Sequence, residues 1–369
     1  MKRHSGWLVV MVVALLLLLT VPAMGDDWPA WEDYKAVLIS DDGRVIDGSD
    51  ERLITTSEGQ SYALFFALVA NDRDSFARIL DWTQNNLAQG DLGAVLPAWL
   101  WGHDKEDDRW GVLDANSASD ADLWLAYTLL EAGRLWQRRD YQVLGTRLAQ
   151  RIVAEEVHDL PGFGPVVLPG NTGFVQDALW RVNPSYLPPQ LLARLSALGP
   201  PWPAIAGQAP SLLKETAPQG LAPDWAAWHK DNGWQADPVH GDEGDYDAIR
   251  VYLWLGMLAP DAPHRQALLD HFAPMATLTE RLGTPPERVN AQSGTHRGTG
   301  NSSFSAAMLP FLAGVDASVA EVQRRRLAEN PPAEDAYYAR SLVLFGQGWD
   351  RGRYRFGPDG TLQPRWSSP

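Results

Sequence analysis

Glu58 is the first residue of the chain whose setting suggests catalysis, because it opens a helix that is otherwise apolar. In the segment ITTSEGQSY (54–62), Ser57 is a candidate N-cap, and residues 62–69 (YALFFALV) are apolar nearly all round, which predicts a buried helix. Burial in apolar surroundings raises the pKa of a glutamic acid, as a general acid working near neutral pH requires. The structural alternative is that Glu58 only complements the dipole of the first helical turn.

A second acidic segment also stands at a predicted helix start. Residues 118–122 (ASDAD) open a helix that runs to residue 136, with Asp120 and Asp122 in its first turn and Asp114 just upstream. Ser119 or Asp120 would serve as a cap, so a structural role is again the alternative. One cap is enough for one helix, and the surplus of acid favours a function.

The densest acidic cluster of the chain is residues 241–250 (GDEGDYDAIR), which precede the apolar run 251–257. Arg250 follows Asp247 by three residues and can pair with it across one helical turn. An arginine in that position keeps an aspartate ionised, as a general base requires. A capped and salt-bridged helix start is the alternative interpretation.

Other catalytic chemistries find little support. The chain has no cysteine, GxSxG or HExxH, its eight histidines lack ligand spacing, and the acidic run 103–108 (HDKEDD) lacks the glycine and spacing of a calcium loop. We therefore expect no metal and no organic cofactor. Helix-start carboxylates together with many tryptophans and tyrosines indicate glycoside hydrolysis by an acid of raised pKa and an ionised base.

Tryptophan is abundant, with 17 residues, and its flat apolar face with one polar edge suits both sugar stacking and helix packing. Trp99 and Trp101, in the segment LPAWLWG (96–102), point to opposite sides if the segment is extended. One ring would then face a groove and the other the core. Burial of both rings in the core is the alternative.

Apolar residues at three- and four-residue spacing predict a nearly all-helical chain. We expect helices over residues 57–70, 73–87, 118–136, 141–155, 188–198, 224–234, 245–258, 263–272, 303–312, 317–329 and 333–345. A hairpin turn is expected at 40–48, and ordered loops at 162–173 and 199–208. About a dozen helices without a sequence repeat suggest helical hairpins closed into a toroid, with Glu58, Asp120 and Asp247 converging at one end.

The N-terminus has the composition of a signal peptide. Lys2 and Arg3 precede an apolar run over residues 8–21, and residues 23–25 (AMG) supply a cleavage site after Gly25. A membrane anchor is less favoured, because the run is short of the roughly 20 residues that a spanning helix needs. We expect a single domain over residues 26–369, without disulfides, that is periplasmic or secreted and monomeric. The net charge of −15 argues against nucleic acid or an anionic membrane surface as partner.

Four segments of the chain resemble glycoside hydrolase family 8: SEGQSY (57–62), ASDADLWLAYTLLEAGRLW (118–136), NPSY (183–186) and YDAIR (246–250). The resemblance extends to FGQGW (345–349) and so covers essentially the whole chain after residue 25. The window 118–136 is the most specific. Leu125 and Thr128 depart mildly from the family pattern, at positions that concern packing and not chemistry.

The resemblance implies an all-α fold, an (α/α)6 barrel with a few short strands in loops, and an inverting mechanism. It implies that Glu58 is the general acid, Asp247 the general base, and Asp120 the carboxylate that helps hold sugar and water in the central subsite. The residues expected to bind sugar are Trp99, Trp101, Trp124, Trp180, Tyr186, Tyr246 and Arg250. Of the rings at 99, 101, 124, 180 and 186, some should be partly exposed along one cleft.

The implied substrate is a β-1,4-glucan chain, cellulose, cut internally, because the Asp of YDAIR is typical of the branch of the family that includes cellulases. The cellulose synthase complex is the partner that the resemblance suggests. The alternatives are another β-glycan (xylan, chitosan or mixed-linkage glucan), a catalytically silent periplasmic glycan-binding protein, or a polysaccharide lyase. The acidic chain suits the anionic substrates of a lyase poorly.

Overall fold

The structure is a computed structural model that describes residues 28–367, so the predicted signal peptide lies outside the described residues. Twelve α-helices lie in the described part: α1 (Pro29–Leu38), α2 (Ser57–Val69), α3 (Arg73–Leu87), α4 (Ser119–Leu135), α5 (Arg139–Glu155), α6 (Pro189–Leu195), α7 (Trp202–Glu215), α8 (Ile249–Gly256), α9 (Arg265–Leu282), α10 (Ser302–Val315), α11 (Ala317–Glu329) and α12 (Tyr337–Asp350). Short 3₁₀ helices cover Pro184–Tyr186, Ser196–Leu198 and Arg365–Ser367. No helix of the range 28–367 is long and apolar enough to cross a membrane.

The strands are short and lie between the helices. They are β1 (Thr55–Thr56), β2 (Leu100–Asp104), β3 (Arg109–Asp114), β4 (Val157–Leu160), β5 (Gly164–Val167), β6 (Val175–Gln176), β7 (Leu179–Val182), β8 (Ala226–His229), β9 (Gly233–Ala236), β10 (Glu243–Gly244), β11 (Arg288–Asn290), β12 (His296–Arg297), β13 (Tyr354–Phe356) and β14 (Leu362–Pro364). They form three-stranded sheets β1-β2-β3 and β10-β11-β12, a four-stranded sheet β6-β7-β8-β9, and the pairs β4-β5 and β13-β14. Strands are therefore more numerous than the few that were predicted.

Six helices contact one another in cyclic order: α2 with α4, α4 with α6, α6 with α8, α8 with α10, α10 with α12, and α12 with α2. The remaining helices pack on this ring, since α3 contacts α2, α5 contacts α4, α7 contacts α6, α9 contacts α8, α11 contacts α10 and α1 contacts α12. Ring helices such as α8 are buried all round, whereas α3 and α5 bury one face. This contact order agrees with the predicted toroid of helical hairpins.

Aromatic side chains from four ring helices fill the centre of the molecule. Trp124 of α4 lies 4.9 Å from Phe65 of α2, 5.3 Å from Trp254 of α8 and 5.1 Å from Phe345 of α12, measured between ring centroids. Trp124 is completely buried. The prediction that it binds sugar is therefore wrong, because every side of its ring faces the core.

One predicted helix, 224–234, is absent from the structure. Residues 226–236 instead form the hairpin β8–β9, in which Trp228 pairs with Trp234. The connecting residues 230–232 read Lys-Asp-Asn, and Gly233, which opens β9, has φ +74°, the left-handed conformation that glycine adopts at low cost. The turn residues and the cross-strand pair of tryptophans override the apolar spacing that predicted a helix.

Other differences concern helix boundaries. The region 199–208, predicted as a loop, contains the start of α7 at Trp202, where a proline in the first turn suits a helix N-terminus. Helix α9 continues ten residues beyond the predicted end at 272, through Pro274. Helix α8 begins only at Ile249, so Asp245 and Asp247 lie in the preceding loop. The hairpin turn at 40–48 is confirmed by the bridge between Ile39 and Val45.

Candidate active site

Arg250, in the first turn of α8, is the centre of the candidate site, although only 1 % of its side chain is exposed. Its Nη1 contacts the carboxylate of Glu58 and donates to Asp120 Oδ2 at 3.0 Å, and its Nη2 donates to Asp247 Oδ1 at 2.6 Å. Nη1 also donates to the Tyr62 hydroxyl at 2.9 Å. The predicted convergence of the three helix-start acids is thus confirmed, and one arginine lies between them.

Neither of the first two acids acts as a helix N-cap. Thr56, not Ser57 as predicted, caps α2: its Oγ1 accepts a hydrogen bond from Gly59 N at 3.0 Å. The N-cap of α4 is Ala118, which makes no side-chain capping bond, so neither Ser119 nor Asp120 has that role. The Glu58 carboxylate therefore does not cap α2, and it contacts Arg250 instead.

Solvent access differs among the three acids. The exposed fraction of the side chain is 30 % for Asp247, 16 % for Glu58 and 4 % for Asp120. A ligand approaching from outside therefore meets Asp247 and Glu58 first. Asp120 lies beneath them, where its Oδ1 accepts a hydrogen bond from Ala121 N at 2.8 Å.

Burial raises the pKa of Glu58 to about 7. The positive charge of Arg250 opposes this rise, and the negative charges of Asp120 and Asp247 reinforce it. Burial likewise raises the pKa of Asp120, again against the effect of Arg250. A glutamic acid that holds its proton up to neutral pH is suited to general acid catalysis, as the sequence predicted.

Asp247 is held from two sides. Asn183 Nδ2 donates to Asp247 Oδ2 at 2.9 Å, opposite the bond from Arg250. The loop that carries Asp247 is fixed by Asp224, whose Oδ1 accepts from both Asp245 N and Ala248 N at 2.7 Å. Burial and the charge of Asp247 raise the pKa of Asp224 to about 8.

Sequence reasoning assigned no role to Asn183, Asp224 or the tyrosines of α12. Asn183 lies inside the NPSY segment, so a signal was present, whereas Asp224 lies in the region wrongly predicted as helix. Tyr337 donates its hydroxyl hydrogen to Glu58 Oε1 at 3.1 Å and accepts from Thr56 Oγ1 at 3.0 Å. The Tyr338 ring lies 5.8 Å from the Arg250 guanidinium carbon. Two adjacent tyrosines at a helix start were the available signal.

Trp99 and Trp101 are both partly exposed, so the alternative that both belong to the core is wrong. The backbone oxygen of Trp99 accepts from Ser57 N at 3.0 Å, which places this residue beside the start of α2. Trp101 lies on β2 opposite Thr55, with its ring stacked on Trp110 at 5.5 Å. These backbone contacts place both residues beside the start of α2, and sugar stacking on either ring stays a prediction.

Three further aromatic residues were predicted to bind sugar, and the structure places two of them, Tyr186 and Tyr246, near Arg250 or in the loop that precedes it. Tyr186 is partly exposed, with its centroid 5.4 Å from the Arg250 guanidinium carbon. Tyr246 is 40 % exposed and packs edge-on against Phe304. Trp180 is partly exposed on β7, where it pairs with Trp228 of β8, and its ring packs against the core. Their roles also stay predictions.

The acidic run 103–108 extends from β2 into the exposed β2–β3 loop, where His103 Nε2 and Asp108 Oδ1 lie 2.9 Å apart. Within the described range 28–367, no group of three or more histidine, aspartate or glutamate side chains is arranged to hold a metal ion. The candidate site is thus built from carboxylates, one arginine and aromatic rings.

In this ring of helices, a glutamic acid of raised pKa contacts one end of the Arg250 guanidinium and a second carboxylate contacts the other end. A protonated acid beside a second carboxylate is the arrangement of an acid/base hydrolase of glycosides. The family model "Glycosyl hydrolases family 8" matches residues 6–352. The chain therefore belongs to glycosyl hydrolases family 8.

Relatives and a solved structure agree with this assignment. The chain is similar to an endoglucanase of Escherichia coli (strain K12), with 53% identity over 356 residues that cover 96% of each chain. It is also similar to an endoglucanase of Escherichia coli O157:H7, with 55% identity over 92% of this chain and 91% of the relative. The crystal structure of an endo-1,4-D-glucanase from Vibrio fischeri ES114 matches with a TM-score of 0.89 and 47% identity, covering 93% of this chain and 100% of that chain.

Proposed function

We propose that this protein is an endo-β-1,4-glucanase that hydrolyses cellulose chains internally with inversion at the anomeric carbon. The observation that carries the proposal is the meeting of Glu58, Asp120 and Asp247 on Arg250. Relatives similar over nearly the whole chain are named endoglucanases, which supports a β-1,4-glucan as substrate. The helix contacts that close a ring support an (α/α)6 barrel as the fold.

In this mechanism Glu58 gives its proton to the glycosidic oxygen as the bond between that oxygen and the anomeric carbon breaks. Asp247 accepts a proton from a water molecule whose oxygen bonds to the anomeric carbon on the opposite face. Glu58 ends ionised and Asp247 ends protonated, and exchange with solvent restores both. Inversion requires carboxyl groups about 6.5–9.5 Å apart, and this separation stays a prediction for Glu58 and Asp247.

Arg250 has two effects in this scheme. Its Nη1 lies against Glu58, so the negative charge that grows on Glu58 during proton transfer meets a fixed positive charge. Its Nη2 contacts Asp247 at 2.6 Å and holds that carboxylate in one orientation. Asp120 shares Nη1 and, from beneath, would help hold the sugar and the water in the central subsite.

The cellular location of the enzyme and its partners are further parts of the proposal. We infer from the composition of residues 1–25 that the enzyme is exported to the periplasm or secreted, and N-terminal sequencing of the exported protein is expected to begin at Asp26. A role beside the cellulose synthase complex rests on the sequence resemblance. An exported enzyme of that kind would meet its glucan outside the cytoplasm.

The decisive experiment measures reducing sugar released from carboxymethylcellulose by the wild type and by Glu58→Gln and Asp247→Asn. Each variant is expected to lose a factor on the order of 10² or more in kcat while retaining oligosaccharide binding, because a proton donor or acceptor is lost with little change of shape. Asp114→Asn, at an exposed acid on β3, is the matched control and should retain activity. Proton NMR of the first product should show the inverted anomer.

The same assay separates the alternatives. Hydrolysis of xylan, chitosan or mixed-linkage glucan without hydrolysis of carboxymethylcellulose would replace cellulose by another β-glycan. Binding of glucans without hydrolysis of any would indicate a glycan-binding protein. Near-normal turnover by Glu58→Gln would contradict the assignment of the acid.

A further inference from the structure

Two buried acids, Asp122 and Glu156, face each other beneath the candidate site, and no cationic side chain of residues 28–367 acts on either of them. Asp122 lies in the first turn of α4, Glu156 is the C-cap residue directly after α5, and both side chains are completely buried. Their carboxyl groups lie within hydrogen-bonding reach of each other. Glu156 Oε1 accepts from Ser117 Oγ at 2.6 Å, whereas Glu156 Oε2 and both oxygens of Asp122 have no other donor among the described residues.

Glu131, a third buried acid and like Asp122 a residue of α4, is surrounded by cations and hydrogen-bond donors. Glu131 of α4 is also completely buried, but it receives hydrogen bonds from Arg134, from Arg194 at 2.5 Å and from Leu362 N at 2.8 Å. Among the residues that the structure describes, the further charged group that acts on both Asp122 and Glu156 is Asp120, which has the same sign. Two ionised carboxylates in contact, without a cation, would be strongly unfavourable.

A proton shared between the two acids supplies the missing donor. One carboxyl group then donates to the other, as in other buried carboxyl pairs. The electrostatics agree with this geometry, because burial raises the pKa of Glu156 to about 8 and that of Asp122 well above its ordinary range.

Hydrogen bonds and short stretches of backbone connect the pair to the site. Ser117 Oγ, which donates to Glu156, accepts from Asn171 N at 3.0 Å. The adjacent Asn116 carbonyl accepts from Trp99 N at 2.8 Å, and the Trp99 carbonyl accepts from Ser57 N, next to Glu58. Asp122 itself lies two residues from Asp120, on the turn whose position sets the contact between Asp120 and Arg250.

We propose that Asp122 and Glu156 are positioning residues that share a proton, and that this shared proton holds the first turn of α4 so that Asp120 remains in contact with Arg250. If the proton were lost, two like charges would repel each other and Asp120, and the turn would shift. The kinetic tests of this inference rest on the proposed hydrolase activity, whereas its spectroscopic test does not.

The experiment compares three variants with the wild type. Asp122→Asn replaces the shared proton by a permanent N–H donor, Asp122→Ala removes the donor, and Glu156→Gln changes the other partner. Glu131→Gln, at the acid neutralised by arginines, is the control. The readouts are kcat and KM on a soluble cello-oligosaccharide, the melting temperature, and the infrared carbonyl band of protonated carboxylic acids near neutral pH.

We expect Asp122→Ala to lower kcat by about tenfold or more with a smaller change of KM, and Asp122→Asn to restore kcat to within about threefold of the wild type. The wild type should show an infrared band of a protonated carboxyl that disappears in Asp122→Asn and weakens or shifts in Glu156→Gln. Glu131→Gln should keep that band, because this substitution leaves Asp122 and Glu156 unchanged. The bands of Glu58 and Asp224, whose pKa values are also raised, are identified separately by their loss in Glu58→Gln and Asp224→Asn.

Three results would overturn the inference. The first is a wild-type spectrum in which Asp122→Asn removes no protonated carboxyl band. The second is an Asp122→Asn variant that is folded but as impaired as Asp122→Ala. The third is a lower melting temperature of Asp122→Ala with unchanged kcat, which would indicate a structural role alone. If Asp122→Ala does not fold, the infrared band and the kinetics of Asp122→Asn decide. A wild type inactive on cello-oligosaccharides would contradict the proposed function and leave the spectroscopic test intact.

Discussion

Replacing Tyr337 by phenylalanine removes one hydrogen bond from the proposed general acid without changing the size of the side chain. The Tyr337 hydroxyl donates to Glu58 Oε1 at 3.1 Å, and this bond stabilises the ionised form of Glu58, so it lowers the pKa of that group. Glu58 acts in its protonated form, so kcat/KM should fall as the pH rises above its pKa of about 7. Loss of the hydroxyl raises the pKa, and the alkaline limb must move to higher pH.

The size of the shift follows from the strength of the lost bond. A hydrogen bond to a charged group contributes about 1.5–3 kcal/mol, and one pKa unit corresponds to about 1.4 kcal/mol. Glu58 is only 16 % exposed, so screening by water is limited, but Arg250 continues to stabilise the carboxylate. We therefore expect Tyr337→Phe to shift the alkaline limb upward by about one pH unit.

The assay is kcat/KM on a soluble cello-oligosaccharide across the pH range, for the wild type and the variant. Tyr127→Phe is the matched control, since the Tyr127 hydroxyl donates to the Gly360 carbonyl in the core and does not contact Glu58. The control should keep the wild-type limb. An unchanged or downward-shifted limb in Tyr337→Phe would refute the assignment of that limb to Glu58 or the role of the hydrogen bond.

Three further predictions follow from the same geometry. Burial raises the folded-state pKa of Glu58 above its unfolded value, so protonated Glu58 stabilises the fold at low pH, and this contribution is lost as the pH rises through about 7. Glu58→Gln should therefore have a melting temperature no lower than that of the wild type at pH 8, measured by calorimetry. A lower melting temperature would support a structural role. Asp224→Ala should lower kcat by about tenfold, because the loop of Asp247 loses two hydrogen bonds, whereas Asp224→Asn keeps an acceptor oxygen and should retain most of the wild-type kcat. Equal kinetics in the two variants would contradict this. Trp99→Ala should weaken cello-oligosaccharide binding in calorimetric titrations by about 1–3 kcal/mol, and unchanged affinity would exclude a sugar platform at this ring.

Much of the chemistry was determined by local sequence. Glu58 could be singled out because an acid at the start of an all-round apolar helix must be buried, and burial alone is the largest cause of its raised pKa. The pairing of Asp247 with Arg250 was predictable from a spacing of three residues, although the structure places Asp247 in the loop before the helix. Apolar periodicity also predicted most of the helices.

The tertiary structure decided what those residues contact. Arg250 meets Glu58 and Asp120 across 192 and 130 residues of chain, and Tyr337 meets Glu58 across 279, distances at which no local pattern operates. Periodicity indicates that a ring helix is buried all round, but it does not tell whether a given side chain faces the core or the cleft. Trp124 was therefore wrongly assigned to the cleft, although its ring is buried in the core. Tyr186, predicted in the same way, does lie beside Arg250. That no cationic side chain within residues 28–367 acts on Asp122 or Glu156 is likewise a result of tertiary packing. The protonation state of such a pair depends on every group that the fold brings near it.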